Sequence, residues 1–271
     1  MLVRIFSLLL FLVLAVNVNA QINDAQNLTK DVKSLMYSDP EKAIKTAQYI
    51  VSNQSFGTAE DVYNALLLQS EIYFNLKKYN DAVVKLISAD RISQNVDNDF
   101  LKSKNEYLIG KLYLELGFYD EYSEVLDDIS EFEKSLKNED EKICVESWVN
   151  ELKILKLYHQ GKYKENLAEI QTHIDDKINL DPVYNSRLQI VKCNIENTIS
   201  YNFPNSESYF QFLSGLIDLK FQIKNGTFNQ LNFNNLKKKF PQFNNGVFFL
   251  DFYKDWSQQA CGSNSNDCFG T

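Results

Sequence analysis

Two histidines and four cysteines are the residues of this 271-residue chain best suited to chemistry. His159 stands just before Gln160–Gly161, and His173 falls late in the next amphipathic stretch. Neither adjoins a Ser or Cys in a pattern that activates a nucleophile. The chain contains no GxSxG, HExxH, phosphate loop or GxGxxG. The expectation is therefore no enzyme, no catalytic residue and no cofactor, with both histidines as surface or rim residues. Cys261 and Cys268 bracket six polar residues, and an oxidising compartment would let them close a local disulfide. Cys144 and Cys193 lie far apart in sequence and read as small apolar packing residues. No pair has the short spacing that zinc sites favour, so no metal is expected.

The N-terminus supplies such a compartment. Arg4 precedes an apolar run from Ile5 to Val16, followed by Asn17 and the small-residue site Val18–Asn19–Ala20. This is the pattern of a secretory signal peptide over residues 1–20, with cleavage after Ala20. An uncleaved anchor is the competing reading, though the run is short for a membrane span. An exported product, periplasmic or secreted, is expected, with no stable membrane span after cleavage. Net charge is −8, and removing the segment that holds only Arg4 takes it to −9. Nucleic-acid binding needs a basic face, so the triplet Lys237–Lys238–Lys239 does not make the chain a nucleic-acid partner. Sequons begin at Asn27, Asn53 and Asn225, and they matter only in a host that glycosylates.

The elements that must position these residues are helices. Hydrophobic residues make up 44% of the chain, with only 9 Gly and 4 Pro, against 19 Phe and 15 Tyr. That composition suits helices with short connections. Apolar residues recur at helical spacing from Ile22 to Tyr37 and again after Asp39–Pro40. Thr58 and Asp61 predict a capping arrangement. From Val62 to Ala89 two helices flank the turn Lys77–Lys78–Tyr79–Asn80. The layout returns around Gly117–Phe118–Tyr119–Asp120 and around Gln160–Gly161–Lys162–Tyr163. The turn tyrosines Tyr79, Tyr119 and Tyr163 lie 40 and 44 residues apart, and Ala43 precedes Ala82 by 39. Such a period predicts one helical hairpin per unit, stacked on its neighbours. The acidic stretch Asp127–Glu146 reads as a solvated helix end and connection. Helices are further expected over Val183–Ser200, Tyr209–Lys224 and Val247–Trp256.

These residues carry a resemblance. Tyr73, Tyr79, Ala82, Leu86 and Ala89 stand where the tetratricopeptide repeat (TPR) places its aromatics, alanines and large residue. Gly110, Tyr113, Gly117, Tyr119 and Leu126 fit the same frame, as do Leu157, Gly161, Tyr163 and Ile170. Tyr122 and Asn166 replace the alanine in the second and third copies, and the period exceeds the usual of about 34 residues. The Asn-Ala-Gln junction and the Asp-Pro-Glu-Lys-Ala opening resemble exported TPR proteins of Bacteroidetes.

The resemblance implies an all-α, right-handed solenoid over residues 21–200, divergent C-terminal helices over 201–260 as a cap, and a polar tail over 261–271. It implies a scaffold or sensor that binds a protein or peptide in an extracytoplasmic compartment. The first helix of each hairpin would line the groove, with Asn64, Glu71 and Phe74, then Lys104, Tyr107 and Lys111, then Trp148, Glu151 and Tyr158. Lys104 and Lys111 lie seven residues apart on one face and would meet an acidic ligand. Phe74, Tyr107 and Trp148 would be its aromatic anchors. Core packing for the aromatics and solvation for the lysines is the plainer reading. Two other classes stay open: a secreted enzyme acting through residues 201–271, and a eukaryotic secretory-pathway TPR co-chaperone.

Overall fold

The computed structural model describes residues 24–53, 57–175, 182–196 and 208–243, and no strand occurs among them. The fold is all-α. A first helix, α1, covers 24–35. It is followed by α2 (Pro40–Ser52), α3 (Ala59–Asn75), α4 (Tyr79–Ser93), α5 (Asp99–Leu116) and α6 (Glu121–Ser135). Then come α7 (Glu139–His159), α8 (Tyr163–Asp175), α9 (Pro182–Glu196), α10 (Ser208–Lys224) and α11 (Gln230–Lys239), with a 3₁₀ turn at Pro241–Phe243. The expected signal peptide, the helix over Val247–Trp256 and the pair Cys261 and Cys268 lie outside the described residues.

Helix starts follow local chemistry. The Asp39 carboxylate accepts from the Lys42 amide at 3.1 Å, and Pro40 sits in the first turn, where its missing N–H is no loss. Thr58 and Asp61 form a reciprocal capping box, at 2.8 Å and 3.2 Å, that opens α3.

Among the described residues, helix ends repeat one geometry four times. Residues 77, 117, 161 and 226 all take the left-handed conformation, with φ of 56°, 81°, 71° and 69°. In each case the next residue's N–H returns to the carbonyl five positions earlier. Lys78 donates to Tyr73 at 2.8 Å, Phe118 to Tyr113 at 2.8 Å, Lys162 to Leu157 at 2.9 Å and Thr227 to Gln222 at 2.8 Å. This double-bonded turn satisfies carbonyls that the helix end leaves open. Glycine takes the position three times, and Lys77 takes it once against its steric preference. Tyr79 and Tyr163, expected within the turns, are already the first residues of α4 and α8.

In two hairpins the helices meet at a second recurring pair of positions, twelve residues apart. In the first hairpin the Ser70 hydroxyl donates to the Ala82 carbonyl at 3.1 Å. In the third, the Asn166 amide donates to the Ile154 carbonyl at 2.5 Å. The second hairpin holds Gly110 and the fully buried Tyr122 there. A Cβ on Gly110 would lie 3.1 Å from side-chain carbons of Leu152 and Val125. The departure from alanine at 166 is thus matched to its opposite position. There a polar amide faces a carbonyl, while Gly110 lets the Leu152 and Val125 side chains approach closely.

The chain divides into two compact units, Met1–Leu108 and Ile109–Thr271, with the boundary inside α5. In the first, α3 packs on both α2 and α4 around Ala43, Ala47, Leu66, Ile72 and Leu86. In the second, α7 packs on α6, α8 and α9. Ile154, Ile170, Tyr184, Leu188 and Val191 form one cluster there. The Phe-rich C-terminal stretch is itself core: Phe212 stacks on Phe243 at 5.4 Å and meets Phe240 edge-on at 6.1 Å.

Candidate functional site

The residues expected to line a groove fall into two charge clusters, one in each unit. The reason is local. Glu71 and Glu151 sit in largely apolar helices, LLLQSEIYF and WVNELKIL. A carboxylate folded into such a face needs a cation or several donors, because desolvating it alone is very costly.

In the first unit Glu71, on α3, is buried. It forms an ion pair with Lys104 of α5 at 2.9 Å and accepts a hydrogen bond from the Tyr37 hydroxyl at 3.2 Å. In the second unit Glu151, on α7, is more deeply buried. One oxygen faces the Lys111 ammonium at 3.4 Å, and the other faces the Arg187 guanidinium of α9 at 3.2 Å. Lys111 is itself 5% exposed. These clusters join the first helices of different hairpins to one another.

The structure brings Glu71 together with Lys104, and Lys111 together with Glu151. Each lysine therefore faces a carboxylate of the predicted set. Tyr107 and Trp148 are buried packing residues, at 1% and 9% exposure. Asn64, Phe74 and Tyr158 are half-buried. The Phe74 ring packs on Tyr79 at 5.5 Å, and Tyr158 packs on Tyr163 at 5.9 Å. The corresponding ring pair of the second hairpin is Tyr113 with Phe118, at 6.2 Å, so Phe118 takes the ring contact in place of Tyr119.

Two members of the clusters, Tyr37 and Arg187, escape sequence reasoning. Tyr37 lies in the turn between α1 and α2, and Arg187 on α9, both away from the helices that carry the carboxylates. The available signal is the acid embedded in each apolar run, which demands a partner without naming it.

Burial dominates the electrostatics of the tyrosines. It pushes the Tyr184 hydroxyl well above its ordinary pKa of 10.0, and Glu151 and Glu169 add to the rise. Tyr63 and Tyr122 are raised by the same cause, Tyr63 with further help from Glu106 and Asp90. The Lys156 ammonium lies 4.8 Å above the Tyr122 ring, a favourable cation–π placement. Burial also raises Tyr209, while the charge of Arg187 opposes the rise. His173 lies 3.5 Å from Glu169, and His159 packs edge-on to Tyr158. Cys193 is buried and Cys144 half-buried.

Among the described residues, no group of three or more His, Cys, Asp or Glu is placed to hold a metal ion. Among the same residues, no helix is long and apolar enough to cross a membrane. No protein-family model, curated protein or solved structure matches this chain.

Proposed function

We propose that this chain is a TPR-like, right-handed stack of helical hairpins that binds a protein or peptide outside the cytoplasm, without catalysis. The observation that carries this reading is the recurrence of one turn and one cross-helix pair at matched positions. The turns fall at 77, 117 and 161, and the hydrogen-bonded pairs at 70/82 and 154/166, each seven residues before and five after its turn. Units of this size cannot bury their apolar faces singly and must lean on neighbours. The helices over 208–243 act as the cap.

Within the lining, the charged residues serve mainly to hold helices together. Asn64, Phe74 and Tyr158 are the half-buried members left to meet a ligand. The leader pattern of residues 1–20 supports export, and the chain acts there as a scaffold or sensor. Photo-crosslinking tests the reading. Benzoylphenylalanine at Asn64 or at Tyr158, in cells of the native host, is expected to trap a protein or peptide. At Lys45 or Glu124, on other helices, it is not. Equal trapping at all four positions, or none at the first two, contradicts a groove on these helices.

A further inference from the structure

The second unit carries an apolar edge that the repeat does not require. Leu116 is 50% exposed, whereas Leu76, at the same position of the preceding hairpin, is 4% exposed. Phe118 and Tyr163 are 48% and 50% exposed. All three lie at the α5–α6 and α7–α8 turns, and these turns share one edge. Lys156 of α7 sits over the ring of Tyr122 in α6. Burial raises the Tyr158 hydroxyl, with Tyr163 and then Glu115 of α5 adding to the rise, and Tyr158 packs on Tyr163.

Charge is separated along this edge. The α5–α6 turn carries exposed Glu115, Asp120 and Glu121, while the α7–α8 turn carries exposed Lys162 and Lys164. The acids at the start of α6 suit the positive end of a helix dipole. The two lysines at the start of α8 do not, and Glu165 offsets only one of them. An arrangement with both signs flanking an apolar centre is self-complementary. An anionic lipid surface or nucleic acid would meet the acidic turn as well as the basic one, and would be repelled by it.

We propose that this edge binds a second copy of the chain in a two-fold, isologous contact. Lys162 and Lys164 of each copy face Asp120 and Glu121 of the other, across Leu116, Phe118 and Tyr163. The buried patch is small, so the dimer is a weak one that dissociates on dilution.

Sedimentation of the full-length chain across a concentration series tests this. The weight-average mass is expected to rise from the monomer value, 31.4 kDa less the leader where residues 1–20 are removed, toward twice that value. Phe118→Ser with Tyr163→Ser abolishes the rise. Lys162→Glu with Lys164→Glu, a change that favours the α8 dipole and so preserves folding, weakens association by about tenfold or more. Asp120→Lys with Glu121→Lys does the same. If that variant does not fold, Asp120→Asn with Glu121→Gln replaces it and also weakens association. The charge-reversed α8 variant is then mixed in equal amounts with the charge-reversed α6 variant, or with wild type if the latter does not fold. The mixture associates more tightly than the α8 variant alone. A chain that stays monomeric throughout overturns the proposal. So do charge variants that associate as the wild type does, or a mixture that gains nothing.

Discussion

The clusters around Glu71 and Glu151 share a carboxylate and a lysine but differ in the third member. In the first unit that member is a neutral phenol, Tyr37. In the second it is a cation, Arg187. The lysine of the second cluster is also drier, with Lys111 5% and Lys104 12% exposed at the side chain, while Arg187 at 13% is as exposed as Lys104. A carboxylate between a buried lysine and a half-buried guanidinium balances more charge than one shared between a cation and a hydroxyl. Removing it strands more charge in a medium that solvates charge poorly. The lesson is that equivalent-looking acids in a repeat carry unequal structural weight, set by what the neighbouring helix contributes.

Substitutions should reveal that inequality. Glu151→Ala is expected to destabilise the chain by about 3–5 kcal/mol in urea unfolding, because it leaves the buried Lys111 beside the half-buried Arg187 without the carboxylate that both face. Glu71→Ala is expected to cost about 2 kcal/mol, since one cation loses one charged hydrogen-bond partner. Equal losses, or the reverse order, would break the comparison.

Alkaline pH sharpens it. Tyr122 and Tyr184 in the second unit, and Tyr63 in the first, are buried and neutral in the native state. The unfolded chain ionises them above their ordinary value of 10.0. Unfolding then releases protons, so stability is full below pH 10 and falls as pH rises toward the raised native values. About 1.4 kcal/mol per phenol is lost one pH unit above the ordinary value. Absorbance at 295 nm should show these tyrosines titrating only as the helical signal is lost. Early titration with helicity intact would show the rings to be wet.

The turns give the smallest effects, of opposite sign in the two units. Gly117→Ala meets no atom within 4 Å, so its cost is the left-handed backbone alone, about 1 kcal/mol. Lys77→Gly removes the same strain from the first unit and is expected to stabilise by about 0.5 kcal/mol. Thermal midpoints that fall for both would show that the fourfold turn is not equivalent.

Much of this architecture was readable from residue types. Asp39–Pro40 and Thr58 with Asp61 predicted helix starts because a cap needs a short acceptor and local spacing. Gly117 and Gly161 marked turns because only glycine enters the left-handed region freely. Lys77 was readable only by its alignment with them. The site was less legible. Lys104 and Lys111 share a helix face, and that face is what sequence spacing reports. Which carboxylate each would meet depends on the packing of separate helices, which no local period encodes. Tyr107 and Trp148 illustrate the same limit, since an aromatic at an inner-helix position serves equally as anchor or as core.

A double-mutant cycle on Lys111→Met and Glu151→Gln tests most directly whether these charges act as internal fasteners between helices. The account predicts that the double variant is less destabilised than the sum of the singles, with a coupling of about 2 kcal/mol or more. Additivity within about 0.5 kcal/mol would contradict it.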